Sequence, residues 1–174
     1  TTVFLTGIAT AGIGLHIVPF LVGQGLNPEV AVATVSLRFL ASAVGGLLGG
    51  VSADRFTPRS LILLAVSTRA FSIIVLIFAG TFLTAGISGV LGGLSDGIQS
   101  TVLVLFLVSY FGKNNVGGIY GINRASAVVG FSAGPMIAGI GFDVIGSYTN
   151  IFWGFLLLTI VSIALVFSTK SKIQ

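Results

Sequence analysis

Residues 28–59 read PEVAVATVSLRFLASAVGGLLGGVSADRFTPR, a long apolar stretch followed directly by a short charged loop. A bilayer whose hydrocarbon core is about 30 Å thick requires about 20 apolar residues per crossing helix. Asn27 is a suitable N-cap, Pro28 fits the first helical position, and Glu29 complements the helix dipole. The stretch therefore predicts a transmembrane helix from Pro28 to about Ala53.

The same apolar pattern occurs six times along the chain. Of the 174 residues, 55% are hydrophobic and 7% are charged, and the mean hydropathy is +1.13. Such values are typical of integral membrane proteins. We therefore predict an all-α integral membrane protein with transmembrane helices at about residues 3–23, 28–53, 60–80, 85–111, 117–142 and 148–169.

The positive charges of the loops fall on one side of the predicted helices. The connections near Gln24, Thr81 and Gly146 carry no Lys or Arg. By the positive-inside rule, we expect both termini on the cytoplasmic side of the cell membrane. The bases that define this side are Arg55, Arg59, Lys113, Lys170 and Lys172.

Composition makes several classes of function unexpected. The chain has no Cys and one His, so we expect no disulfide, no metal centre and no cofactor. The net charge of +4 comes from bases at membrane boundaries rather than from a basic stripe, so nucleic acid is not an expected partner. Many of the 25 glycines lie four residues apart inside the spans, which favours close helix packing.

Residues 50–55, GVSADR, followed by Arg59, resemble the G-x-x-x-D-R…R loop motif of the major facilitator superfamily. That family carries the motif between the second and third helices of each six-helix half, the place it occupies here. The other segments, in their order, are similar to the C-terminal half of monocarboxylate and oxalate/formate carriers. They are residues 16–20 (HIVPF), 110–112 (YFG), 118–121 (GIYG), 134–139 (GPMIAG) and 143–148 (DVIGSY).

This resemblance implies a secondary carrier that moves a small organic solute by alternating access, and the surplus of Arg over acidic residues inside the predicted helices favours an anion as that solute. The resemblance also implies that the chain, which opens at Thr1, is a fragment whose N-terminal six-helix half is absent. The expected partners are then the lipid bilayer, that missing half, a small-molecule substrate and protons. The loop residues Gly50, Asp54, Arg55 and Arg59 would form a conformational latch, with Asp54 paired to Arg55, Arg59 or a neighbouring helix N-terminus.

Charged residues inside the predicted helices are the candidates for the transport site. Each costs about 2.5–3.5 kcal/mol at a helix centre unless it is paired or hydrated. Arg38 and Asp96 both lie about 15–16 Å below the outer ends of their helices, so we predict an ion pair between them. Such a pair could exchange its bond for a substrate carboxylate on Arg38 and a proton on Asp96.

Other polar residues are weaker candidates. Arg124 offers a planar fork for a carboxylate, although it could also reach the inner interface. His16 is a candidate for gating or proton transfer, and Gln99 for lining the site. The resemblance makes the helix of Arg69 peripheral, so we assign Arg69 to snorkelling or an interhelical bond.

Two alternatives to transport stay open from the sequence. One is a polytopic membrane anchor or receptor whose polar residues serve assembly. The other is an intramembrane serine protease with Ser88 as nucleophile, because residues 86–89 read GISG. In proteases of that kind the histidine follows the serine, whereas His16 precedes Ser88. A carrier, unlike an anchor, requires Arg38 and Asp96 to face a wet cavity.

Overall fold

Six long helices account for nearly all of the residues that the computed structural model describes, which are 2–111 and 116–168. All six are long and apolar enough to cross a membrane. The predicted fold class, an all-α membrane protein with six transmembrane helices, is therefore confirmed. The helices are α1 (Thr2–Gly23), α2 (Pro28–Ala53), α3 (Pro58–Ile77), α4 (Phe82–Phe111), α5 (Val116–Ile145) and α6 (Tyr148–Ser168).

Local capping sets the helix boundaries, and it explains where they differ from the predicted spans. Thr57 caps α3 through its side chain, and Pro58 occupies the first helical position. The backbone N–H groups of Thr81 and Thr84 each donate to the other's hydroxyl, at 3.1 and 3.3 Å, so α4 begins at Phe82. Because Thr57 caps it, α3 begins at Pro58 rather than near residue 60. It ends at Ile77 rather than near Gly80, before the start of α4.

The α5 helix runs through Pro135, as the predicted span of about 117–142 also does, and it extends three residues beyond that span at its C-terminal end. The helix continues to Ile145, where Gly146 adopts a φ of +71° and its N–H donates to the Phe142 carbonyl oxygen at 2.7 Å. A positive φ of this kind is the usual glycine-based helix stop. The side chains of Tyr148 and Phe142 stack directly across this turn, with ring centroids 4.1 Å apart.

Glycines bring two pairs of helices into backbone contact, as the spacing in the sequence predicts. On α4, a Cβ added at Gly89 would lie 2.7 Å from the Thr34 carbonyl oxygen of α2, and one at Gly97 would overlap the Ser42 carbonyl oxygen. On α5, a Cβ at Gly130 would lie 2.6 Å from the Phe4 carbonyl oxygen of α1. The α2–α4 and α1–α5 pairs therefore pack without intervening side chains.

The helix ends group into two faces of the bundle. At the first, which we call the terminal face, Thr2, Ile62 and Val166 line one cavity, and the Arg59 guanidinium donates to the Phe167 carbonyl oxygen at 2.6 Å. At the second, the opposite face, the rings of Phe20 and Phe152 lie 4.7 Å apart. The α2–α3 connection thus belongs to the terminal face, and the α1–α2, α3–α4 and α5–α6 connections belong to the opposite face.

We expect Gly97→Ala to destabilise the protein by about 1–3 kcal/mol, because the added methyl overlaps the α2 backbone and forces the helices apart. The matched control is Gly154→Ala on α6, where an added Cβ meets nothing within 4 Å. The midpoint of thermal unfolding in detergent should fall for the first variant and be unchanged or higher for the second. Equal midpoints would contradict the close α2–α4 packing.

Candidate functional site

Asp96 on α4 is the centre of a charged network that joins three helices. Its Oδ2 atom lies 2.9 Å from Nη2 and 3.0 Å from Nε of Arg38 on α2. Its Oδ1 atom lies 2.7 Å from Nη2 of Arg69 on α3. The predicted Arg38–Asp96 pair is therefore present, and the carboxylate is shared with a second guanidinium that the sequence interpretation did not include.

The network continues through Gln99 to the first helix. Nη2 of Arg69 donates to Oε1 of Gln99 at 2.9 Å, and Nε2 of Gln99 donates to the hydroxyl of Thr6 on α1 at 2.9 Å. A continuous chain of polar contacts therefore connects α1, α4, α3 and α2. The Gln99 amide thus bonds to Arg69 through its oxygen and to Thr6 through its nitrogen.

Arg69 is buried within the bundle, with only 4% of its surface exposed. Of the two roles expected for it, the interhelical bond is correct and snorkelling is wrong. Its Nε atom is buried and has no hydrogen-bond partner among the described residues. A small space of about 10 Å³ beside Arg38 and Arg69, bordered by the hydroxyls of Thr10, Ser72 and Ser88, is large enough for about one water molecule.

A cavity of about 340 Å³ opens beside this network, between the terminal-face halves of the helices. We call it the charged chamber. Arg69, Asp96 and Gln99 line its inner end, and Arg124 contributes a further cation from α5. The remaining lining residues are Val3, Thr6, Gly7, Thr10, Ser42, Ser100, Leu103, Tyr120, Asn123, Ala127 and Phe131.

Arg38 does not line the charged chamber. It borders the small space on the other side of Asp96, toward the opposite face. The expectation that Arg38 and Asp96 would both face a wet cavity is therefore met by Asp96 alone, and Arg69 takes the place expected for Arg38. The cause is the position of Asp96, whose carboxylate separates the two guanidinium groups.

Arg124 differs from the other two arginines because it is exposed. Within the part of the chain that the structure describes, no carboxylate lies within ion-pair distance of it. Its neighbours in the chamber lining include Asn123 and Tyr120. The two arginines at Asp96 leave one unneutralised positive charge, and Arg124 adds a second, so the chamber is electropositive.

His16 on α1 lies away from the chamber, near the opposite face, where it bonds to two helices. Because a carbonyl oxygen only accepts, Nε2 donates to the Pro135 carbonyl oxygen of α5 at 3.2 Å. Nδ1 lies 3.2 Å from the Tyr148 hydroxyl of α6 and accepts from it in the neutral imidazole. These contacts join three helices, an arrangement that suits helix assembly or a gate.

The loop motif does not form the internal ion pair that the sequence suggested. Gly50 lies near the end of α2, and both Asp54 and Arg55 are exposed. Among the described residues the ion pairs are those on Asp96, so Asp54 is paired with neither Arg55 nor Arg59. Arg59 instead binds the Phe167 carbonyl at the C-terminal end of α6, where a cation is favoured by the helix dipole.

The geometry of Ser88 does not support a serine protease. Its hydroxyl donates to the Ala85 carbonyl oxygen of its own helix at 2.7 Å, and the residue is buried. Both ring nitrogens of His16 bond elsewhere. Among the residues that the structure describes, no general base contacts this serine, whereas a hydroxyl nucleophile requires one. The described residues also contain no group of three or more His, Asp or Glu side chains that could hold a metal ion.

Three bases that were used to predict the topology, Lys113, Lys170 and Lys172, lie outside the described residues, as does Gly112 of the YFG segment. The two remaining bases of that set, Arg55 and Arg59, lie at the terminal face.

Comparison with protein families gives one match, over residues 1–172, to the model described as Major Facilitator Superfamily. Comparison with curated proteins gives no match. The family match spans nearly the whole chain, and the six membrane-crossing helices and the charged chamber between them agree with it. The chain therefore belongs to the Major Facilitator Superfamily, a family of secondary transporters of small molecules embedded in the lipid bilayer.

Proposed function

We propose that the protein is the C-terminal half of a secondary carrier that moves a small organic anion by alternating access, in symport or antiport. The resemblance to monocarboxylate and oxalate/formate carriers supports the assignment to the C-terminal half. The N-terminal half of the carrier would close the charged chamber from the other side. The site consists of Arg69, Asp96 and Arg124, with Arg38, Gln99 and His16 in supporting positions.

The charge of the chamber is the observation that carries the choice of an anion. Two guanidinium groups share one carboxylate, and a third guanidinium stands exposed at the chamber wall. A substrate carboxylate would neutralise part of this surplus, and the planar fork of Arg124 allows two parallel hydrogen bonds to it. A cationic substrate would meet net repulsion.

The sharing of Asp96 supports coupling to protons. A proton on Asp96 would deprive Arg38 and Arg69 of their common counter-ion. A substrate anion arriving at Arg69 would restore the balance, so the anion and the proton stabilise each other in the site. This mutual dependence is the requirement for symport of an anion with a proton.

We propose that the protein resides in the cell membrane with its terminal face in the cytoplasm. Arg55 and Arg59 lie at this face, and the connections at the opposite face contain no Lys or Arg. The loop motif formed by Gly50, Asp54, Arg55 and Arg59 would then act at the cytoplasmic surface as a latch. Asp54 would find its partner outside the described residues or in another conformation.

An anchor or receptor without transport is the second candidate, and the chamber argues against it. An assembly role would leave the intramembrane charges sealed between helices. Asp96 instead has 21% of its side chain exposed and lines a cavity of about 340 Å³ together with two arginines.

We expect Asp96→Asn in the intact protein to abolish uptake driven by a proton gradient while sparing counterflow. An amide cannot carry the proton, whereas exchange of one substrate molecule for another requires no net proton movement. Uptake of radiolabelled lactate and oxalate into proteoliposomes, with and without a pH gradient, measures the first property. Preloaded vesicles measure the second.

The matched control for this experiment is Asp96→Glu, which keeps a carboxylate. Loss of one partner from a buried ion pair costs about 3–5 kcal/mol, so each variant is first tested for monodisperse elution in detergent. If Asp96→Asn does not fold, the double variant Arg38→Gln/Asp96→Asn removes one cation together with the carboxylate. Wild-type pH dependence of uptake in folded Asp96→Asn, or in the folded double variant, would exclude coupling at Asp96.

We expect Arg124→Gln to raise the apparent KM for a transported anion about 10- to 100-fold, the range for losing a hydrogen bond to a charged group. Its protein level and thermal stability should be unchanged, because no described carboxylate loses a partner. Arg55→Gln, an exposed arginine outside the chamber, controls for general loss of positive charge by leaving KM unchanged. An equal KM in all three proteins would exclude Arg124 from the site.

A further inference from the structure

A second cavity adjoins the charged chamber at the terminal face. It has a volume of about 180 Å³ and lies between α1, α3, α4, α5 and α6. Its walls are formed mainly by apolar side chains, and we call it the apolar lobe. The residues that line it are Thr2, Val3, Ile62, Gln99, Leu103, Phe106, Leu107, Asn123 and Val166.

The lobe and the chamber are neighbouring compartments of one space. Val3, Gln99, Leu103 and Asn123 belong to the walls of both. On α5, Asn123 at this junction is directly followed by Arg124 of the chamber. A ligand held by the chamber can therefore extend into the lobe through a linker of a few bonds.

The two compartments differ in charge. The chamber walls include Arg69, Asp96 and Arg124, whereas no charged residue lines the lobe among the described residues. Six of the nine side chains in the lobe wall are apolar, and the polar ones are Thr2, Gln99 and Asn123. The lobe consequently disfavours an ion and suits an uncharged, mainly apolar group.

The volume of the lobe limits what can occupy it. An apolar cavity of about 150 Å³ lined by Leu, Ile and Phe binds benzene. The lobe, with Ile62, Leu103, Phe106 and Val166 in its walls, is slightly larger than this. It therefore has room for one ring or a short branched chain.

We propose that the transported anion is amphiphilic: a carboxylate bound in the charged chamber, joined by a short linker to an apolar group about the size of a benzene ring that fills the apolar lobe. This inference rests on the proposed function, since it names the substrate class of the same site. Arylalkanoates such as phenylacetate and 3-phenylpropionate have the required chemistry. Small hydrophilic carboxylates fill only the chamber.

The test measures equilibrium binding of a matched ligand series to the intact protein in detergent. The series is acetate, phenylacetate, 3-phenylpropionate and the neutral phenylacetamide, titrated by calorimetry. We expect phenylacetate to bind about 10- to 100-fold more tightly than acetate, the gain for burying a side chain of similar size. Phenylacetamide should bind at least tenfold more weakly than phenylacetate.

Variants of α6 locate the apolar group. Val166→Phe fills the lobe, because Val166 is buried in its wall, whereas Val161→Phe makes the same change at an exposed position of the same helix. We expect Val166→Phe to remove the advantage of phenylacetate and to leave acetate binding unchanged, and Val161→Phe to change neither. If Val166→Phe does not fold, Ile62→Ala enlarges the lobe and should shift the preference toward naphthylacetate.

The outcomes separate this inference from the proposed function. If no carboxylate binds, the choice of an anion fails and the inference fails with it. If acetate and phenylacetate bind equally well, or if Val166→Phe and Val161→Phe behave alike, the lobe is not part of the site and only the inference is overturned. If added phosphatidylglycerol competes with phenylacetate and removes its advantage over acetate, the lobe belongs to a lipid, and the inference is again overturned.

Discussion

One carboxylate shared between two guanidinium groups organises the interior of this membrane protein. Asp96 projects from α4, and each of its oxygen atoms binds an arginine from a different helix. In a medium of low dielectric, an unpaired charge at this depth is costly, so the three side chains stabilise one another only as a set. Pairing of these charges therefore requires α2, α3 and α4 to keep their relative positions.

The set is also unbalanced in charge, with two cations to one anion, and in the proposed carrier this surplus would favour an anionic substrate. Three charges that sum to +1 form a stable arrangement when an anion is near, and Arg124 extends the positive region toward the terminal face. The burial of Arg69, together with its bond to Gln99, holds one guanidinium at the inner end of the chamber. In the proposed carrier, recognition of the anion would therefore depend on a preorganised cation that the surrounding helices orient.

Much of the fold could be predicted from the sequence because the bilayer imposes strong rules. Span length, loop charge and the caps at Asn27 and Thr57 follow from local chemistry. The Arg38–Asp96 pair was predictable from depth alone. Measured from the predicted outer ends, Arg69 lies at nearly the same depth, about 16 Å, so depth could have identified it as well. The resemblance, which made its helix peripheral, favoured an interhelical bond or snorkelling, and the structure shows the interhelical bond to Asp96.

Other features depend on three-dimensional packing and had no signal in the sequence. The binding of Arg59 to the end of α6, in place of an ion pair with Asp54, depends on how α3 and α6 meet. The contacts of His16 with Pro135 and Tyr148 likewise depend on the approach of α1 to α5 and α6. The division between the charged chamber and the apolar lobe arises from residues of five helices, so no single segment predicts it.

The backbone contact between α2 and α4 restricts how the ion network can rearrange. Gly93 meets the carbonyl of Arg38 itself, and Gly97 meets that of Ser42 one turn later. Sliding α2 along α4 by a single residue, about 1.5 Å, would bring side chains against these glycines and would misalign Arg38 with Asp96. In the proposed carrier, release of the pair would then come from rotation of side-chain torsions or from movement of α3, with α2 and α4 moving together.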